Sequence, residues 1–301
     1  MVDFGSQAPM RQALCRAAVV FALKLAFTAA MLAGLAARPA AAQIQEEVPF
    51  IVTPDHVTVA MLELAGVGPS DFVLDLGSGD GRIVITAARR FGARGMGVEI
   101  VPDLVARSRD NARRAGVAER AEFRVQDLFQ TDLTVASVIT MYLLPEFNLQ
   151  LRPALLRLAP GTRIVSHDWD MGDWHPVRSI EVQVPDKVVG REKLSRLHLW
   201  IVPAPVEGLW CGPQGQALRL ARHTDRVDGT LRTGTTTVAA VGLLRGTALQ
   251  LHAHPGTEAT LRAESGAETM RIEAATGAWA PWAGLTLRRI PVHRAGEGCK
   301  G

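Results

Sequence analysis

The stretch that most constrains this chain is VLDLGSGDGR, Val73 to Arg82. Apolar residues flank Asp75, the run stops at glycines 77, 79 and 81, and a helix-forming segment opens at about Arg82. That order predicts a buried strand, a tight loop and a helix N-terminus. Glycine serves twice there. It admits positive φ, and without a Cβ it lets a ligand lie against the backbone. The helix behind turns its free N–H groups and the positive end of its dipole toward whatever fills the loop.

Spacing selects among ligands. A dinucleotide loop reads G-x-G-x-x-G, its third glycine serving helix–sheet packing. Here the order is G-x-G-x-G, and Arg82 stands where that third glycine belongs. Asp75 puts a carboxylate at the strand end, where it suits a cationic amine better than a pyrophosphate. Glu99 closes the next apolar run, GMGVEI, in position to accept from a ribose diol. An ordinary strand–turn–helix accounts for the glycines but not for the second acid. Acid, glycine loop and second acid together ask for an ammonium and a ribose in one ligand. S-adenosylmethionine has both.

Residues 1–42 read as a leader outside the fold. Arg11 and Arg16 precede an apolar stretch interrupted by Lys24, and Ala40-Ala41-Ala42 offers a small-residue cleavage site before Gln43. The expectation is a cleaved export signal, with the catalytic domain periplasmic and the N-terminal segment engaging the membrane or the export machinery. An uncleaved anchor over 17–37 is the alternative, and a mitochondrial presequence the third reading. The leader holds four of the 33 Lys and Arg and one of the 30 Asp and Glu, leaving 29 of each. The net charge of +3 therefore lies in the leader and is no argument for nucleic acid. Cys211 and Cys299 have no metal-type spacing; two unrelated thiols is the expectation, with pairing open to them in an oxidising compartment.

Thr53 as N-cap, with Pro54 and Asp55 behind it, predicts a helix to about Ala65. Past the glycine loop, helices over 82–91, 102–115 and 148–158 alternate with strands over 93–100, 121–126, 136–143 and 161–169. Two further strands, near 178–184 and 197–202, flank the charged loop DKVVGREK. The fold class is α/β: a Rossmann-like, mostly parallel sheet with an antiparallel hairpin at one edge, over 43–205. From 206 to 301, short β-like runs between glycines predict a small β-rich domain, an antiparallel sheet or sandwich. His252 and His254 share a strand face there, but without a third ligand they read as surface histidines and no metal is expected.

The loop VLDLGSGDGR, taken with Glu99 and Asp127, resembles class I S-adenosylmethionine-dependent methyltransferases. PFIVTP, GVEI, MYLLPEFN and SHDWDMGDW narrow the resemblance to the lysine methyltransferases of the ATP synthase c subunit and the adenine nucleotide translocase, with their bacterial relatives, over roughly 49–203. The resemblance implies that Asp75 and the backbone of Gly77, Ser78, Gly79 and Gly81 hold the methionine moiety. It gives the ribose to Glu99, the adenine amine to Asp127 and a cofactor lid to Thr53. Residues 142–145 replace the Asn/Asp-Pro-Pro-aromatic motif of many amino-methyltransferases, and no Asn or Asp stands there. The candidates around the acceptor are instead Tyr142, Glu146, His167, Asp168 and Asp170. Trp169 and Trp174 read equally as packing or as an aromatic wall.

The chemistry expected is in-line methyl transfer, in which the protein aligns and desolvates the nucleophile. A lysine must lose its proton first, and a carboxylate beside it opposes that, so the carboxylates are expected to bind substrate or relay through water. The expected acceptor is a lysine side chain of a protein, which could be membrane-associated. The alternatives are a small-molecule N- or O-methyltransferase and a non-catalytic cofactor-binding domain whose β-rich tail is the working part.

Overall fold

A computed structural model of the chain describes residues 51–188, 192–254, 259–290 and Cys299. Seven strands form one sheet: β1 (Phe72–Leu76), β2 (Arg94–Glu99), β3 (Ala121–Val125), β4 (Val138–Met141), β5 (Arg163–His167), β6 (Arg178–Gln183) and β7 (Leu194–Ile201). Their order is β3-β2-β1-β4-β5-β7-β6. The first five are parallel; β7 runs antiparallel to β5 and forms a hairpin with β6. Four helices belong to this part: α1 (Asp55–Leu64), α2 (Arg82–Phe91), α3 (Pro102–Arg114) and α4 (Pro145–Leu155).

Burial on both faces explains the near-continuous apolar strands. Leu74, Leu76, Val98, Ile139, Met141 and Ile164 pack on one face, with Trp174 and Trp200 against them. Val73, Val138 and Val165 face the other way onto Val57 and Met61 of α1. The strand order reverses between β1 and β4, and open α/β sheets bind ligands at such a point, beyond the carboxyl ends of the strands. Leu76 pairs with Val98 on one side and Met141 on the other. Gly77, Glu99 and Tyr142 therefore leave the sheet side by side.

Two helix starts differ from the sequence reading. Pro54, not Thr53, is the N-cap of α1, because the Thr53 hydroxyl is taken by His167, 114 residues away. α4 begins at Pro145 rather than Asn148 and contains Pro153; proline at its first position leaves no donor unsatisfied.

The C-terminal part is a closed barrel, neither an open sheet nor a sandwich. Its strands are β8 (Gly208–Cys211), β9 (Ala217–His223), β10 (Arg226–Thr233), β11 (Thr236–Arg245), β12 (Ala248–Ala253), β13 (Thr260–Ser265), β14 (Thr269–Ala275) and β15 (Thr286–Ile290). Closure comes from β15 pairing with β8, which removes both free edges. Alternate side chains, among them Leu218, Leu251, Met270 and Leu287, fill the interior with Trp210, Trp279 and Trp282.

Cys211 and Cys299 form a disulfide across 88 residues of chain, where unrelated thiols were expected. A cross-link closing a loop of that size stabilises by restricting the unfolded chain. Reduction should lower the stability of the barrel by about 2–4 kcal/mol, read as a shift in the urea midpoint with and without a phosphine reductant.

The expectations of a membrane-associated partner, of an N-terminus engaging membrane or export machinery, and of a periplasmic or membrane-anchored location are corrected. No helix among the described residues is long and apolar enough to cross a membrane. The 13-residue α3 spans only about 20 Å, short of the roughly 30 Å of a hydrocarbon core. Residues 1–42, on which those expectations fell, lie outside the described residues. His252 is exposed on β12 and His254 follows that strand; no metal-holding cluster occurs among the described residues.

Candidate functional site

The glycine loop is held from three sides. Its Gly77 and Ser78 N–H groups donate to the Val98 carbonyl at 3.0 and 2.9 Å. Glu99 accepts from the Gly79 N–H at 3.0 Å through Oε2 and from the Val101 N–H at 3.1 Å through Oε1. From α3, the Ser108 hydroxyl donates to the Gly79 carbonyl and the Asn111 amide to the Asp80 carbonyl, at 2.8 and 3.0 Å. All three glycines have positive φ, 74°, 53° and 82°. At Gly81 a Cβ would lie 2.7 Å from the Phe123 ring, so that position admits no side chain at all.

Arg82, at the position of a missing third glycine, clamps the loop to the segment before α1. Its guanidinium pairs with Asp80 at 2.6 Å and donates to the Thr53 carbonyl at 2.8 Å. Burial alone would raise the Asp80 carboxyl, but Arg82 holds it below its usual range. Asp75 sits beneath, only 2% exposed, accepting from the Thr140 hydroxyl at 2.7 Å. Burial, with the charges of Glu99 and Asp80 adding to it, pushes its pKa up to about 7. Among the described residues that carboxyl has no cationic partner. Ser78 Oγ is likewise buried without a partner.

Beyond the ends of β4 and β5 lies a second cluster. Tyr142 stacks on His167 with ring centroids 3.9 Å apart, and its hydroxyl donates to Asp168 Oδ2 at 3.3 Å. His167 is 1% exposed; its Nδ1 shares a hydrogen bond with the Thr53 hydroxyl at 3.3 Å and its Nε2 one with the Ser195 hydroxyl at 2.7 Å. Burial holds the imidazole well below its usual pKa, so the ring is neutral near pH 7. Burial, then the Asp168 charge, pushes the Tyr142 phenol up. Asp168 has φ 66°, unusual for a residue with a side chain and a mark of a constrained site. Burial works to raise its carboxyl, but Lys187 and the Arg196 N–H hold it below the usual range.

Not every expected residue joins these groups. Glu146 is exposed in the first turn of α4, outside the hydrogen bonds of the cluster. Asp170 is exposed and closes a local turn by accepting from the Gly172 N–H. Asp127 caps a short turn, accepting from the Phe129 N–H at 2.8 Å. Trp174 is core, 1% exposed, whereas Trp169 is 41% exposed. Thr140, Ser195 and Lys187 were not legible as site residues; each arrives through a partner 19 to 65 residues away.

The family model described as the ANTKMT methyltransferase domain matches residues 75–178. A protein-lysine N-methyltransferase of Saccharolobus islandicus (strain REY15A) is 42% identical over 138 residues, covering 45% of this chain and 86% of that protein. The chain belongs to the class I S-adenosylmethionine-dependent methyltransferases. The mouse adenine nucleotide translocase lysine N-methyltransferase is 35% identical over 133 residues, so this methyltransferase aligns with 57% of that enzyme's length. A solved structure titled as an RNA methyltransferase from Salinibacter ruber with S-adenosyl-L-homocysteine is 50% identical, covering 52% of this chain and 96% of that one, with a TM-score of 0.47.

The methyltransferase's own geometry fits its cofactor. A buried carboxyl without a cation among the described residues suits the methionine ammonium. Ile100 and Phe129, 56% and 40% exposed directly after β2 and beside Asp127, are apolar surface suited to a flat heteroaromatic ring.

Should Asp75 take the cofactor's ammonium in its ionised form, binding below pH 7 must displace a proton. Affinity for S-adenosylmethionine should rise about tenfold per pH unit up to about 7 and then level off, read by calorimetry from pH 5.5 upward. Glu99→Ala should weaken cofactor binding by roughly 1–3 kcal/mol. Glu99 also holds two backbone N–H groups. A loss of about 1 kcal/mol in the urea midpoint should accompany it.

Proposed function

We propose that this methyltransferase transfers the methyl group of S-adenosylmethionine to a lysine side chain of a protein. The relationship to the S. islandicus protein-lysine N-methyltransferase over most of that protein's length carries the reading. The Tyr142–His167–Asp168 cluster beside the glycine loop supports it, since its carboxylate suits an amine.

When bound, S-adenosylmethionine supplies a methyl on a sulfonium, so the amine nitrogen gains the N–C bond while the S–C bond breaks to a neutral thioether. Asp75 takes the cofactor's ammonium, and the Gly79–Glu99 contact fixes the loop that carries it. Asp168 receives the acceptor as an ammonium. Its charge opposes loss of the proton, which must pass to water before the nitrogen lone pair is free. His167 is too weak a base to take it. Instead it positions Tyr142 by stacking and ties it to Thr53 and Ser195. Tyr142 is half-buried and His167 buried, so water beside them is limited, which lowers the cost of presenting a neutral amine.

The test is incubation of the full chain with S-adenosylmethionine bearing a trideuterated methyl and a protein extract, followed by acid hydrolysis and mass spectrometry. Deuterated methyllysine in hydrolysates supports the reading. Label confined to nucleic acid or to low-mass compounds overturns it.

A further inference from the structure

Lysine side chains are seldom buried unless paired, and ordering one is costly in rotamer freedom. Lys187, in the β6–β7 connection, is both largely buried and paired. Its side chain is 13% exposed, and its ammonium donates to Asp168 Oδ2 at 2.7 Å and to the Leu194 carbonyl at 2.6 Å. The same Asp168 oxygen takes the Tyr142 hydroxyl. Tyr142 precedes Leu143, whose side chain would touch a Cβ at Gly77 of the cofactor loop at 3.0 Å. A lysine ammonium of this chain thus sits on the carboxylate that borders the transfer site.

We propose that Asp168 Oδ2, the Leu194 carbonyl and the Tyr142 hydroxyl make the receiving site for the acceptor's ammonium, and that Lys187 is an in-cis occupant which an incoming lysine displaces. This rests on the reading of the chain as a lysine methyltransferase. The acceptor set selects a primary ammonium: one carboxylate oxygen and one carbonyl converge on a point donor, whereas a guanidinium seeks a planar, two-pronged partner. The receiving carboxylate is fixed in place. Asp168 donates its own N–H to the Arg196 carbonyl at 2.6 Å, and its Oδ1 accepts the Arg196 N–H at 3.0 Å. The wall beside it is uncharged, because His167 is neutral and stacked on Tyr142. A tethered lysine competes at an effective concentration in the millimolar range, so it sets how strongly an acceptor must bind to enter.

Chemical rescue tests this on the full chain. Lys187→Ala leaves Asp168 without its cation and lowers the unfolding temperature. Added n-butylammonium should restore it saturably, with an apparent Kd at least roughly tenfold tighter than for the unaltered chain. The Asp168→Asn, Lys187→Ala double variant should not respond. Should Lys187→Ala fail to fold, Lys187→Met keeps the volume of the stem and is read through the KM for a lysine-bearing peptide, which should fall severalfold at unchanged cofactor affinity. Equal n-butylammonium response in the unaltered chain, Lys187→Ala and the double variant would overturn the inference, as would an unchanged or raised KM in Lys187→Met. A chain that shows the rescue yet methylates no lysine overturns the transfer reading alone, so the two failures are distinguishable.

Discussion

Asp75→Asn should bind S-adenosylmethionine two to three orders of magnitude more weakly, while unfolding at the same or a higher temperature at pH 8. Removing the anion from a buried ammonium–carboxylate pair costs about 3–4 kcal/mol, or that factor in affinity. The stability half follows from the sign of the pKa shift. Asp75 is raised from 3.8 to about 7 by burial, with Glu99 and Asp80 adding to it. A raised carboxyl contributes stability that is fully present below the unfolded pKa and is lost as pH rises through about 7. At pH 8 the native chain therefore carries a buried, unpaired charge that asparagine removes, while Thr140 keeps an oxygen to donate to. Calorimetric titration and a thermal melt on the same sample decide it. Weak binding together with a large drop in melting temperature would mean that Asp75 holds the fold rather than the ligand.

Gly81→Ala should destabilise by about 2–4 kcal/mol, combining left-handed backbone strain with overpacking. Gly81 has φ 82° and caps α2. Its added Cβ would meet Phe123 Cε1 and Cζ at 2.7 Å and Ser108 Cβ at 2.9 Å. Phe123 is 2% exposed and Ser108 is fully buried, so neither has room to retreat. A urea midpoint within about 0.5 kcal/mol of the parent would contradict the packing described for α3 against the loop.

The strand, glycine loop and helix around Asp75 were legible because their signals are local. Asp75, the three glycines and Glu99 occupy two strand ends, and their spacing carries the chemistry. The parallel sheet and its edge hairpin followed from strand–helix alternation. What depended on distant pairing was not legible. Lys187 reaches Asp168, and Ser195 reaches His167, only because β7 runs antiparallel beside β5. Thr53 looked like a helix cap, yet its hydroxyl serves a histidine at the end of β5, 114 residues away. In the tail, alternation announces strands but not whether the first meets the last, and the pairing of β8 with β15 turns a sheet into a barrel. The Cys211–Cys299 disulfide, spanning 88 residues, is another such long-range pairing.

The central claim is that the buried Asp75 and the loop around Gly79 form a working seat for S-adenosylmethionine. Calorimetric titration of the full chain at pH 8 and pH 6 tests it most directly. The account predicts one saturable site, weaker at pH 6 by roughly tenfold, with a proton released on binding at the lower pH. A correctly folded chain that takes up no S-adenosylmethionine at either pH would contradict it.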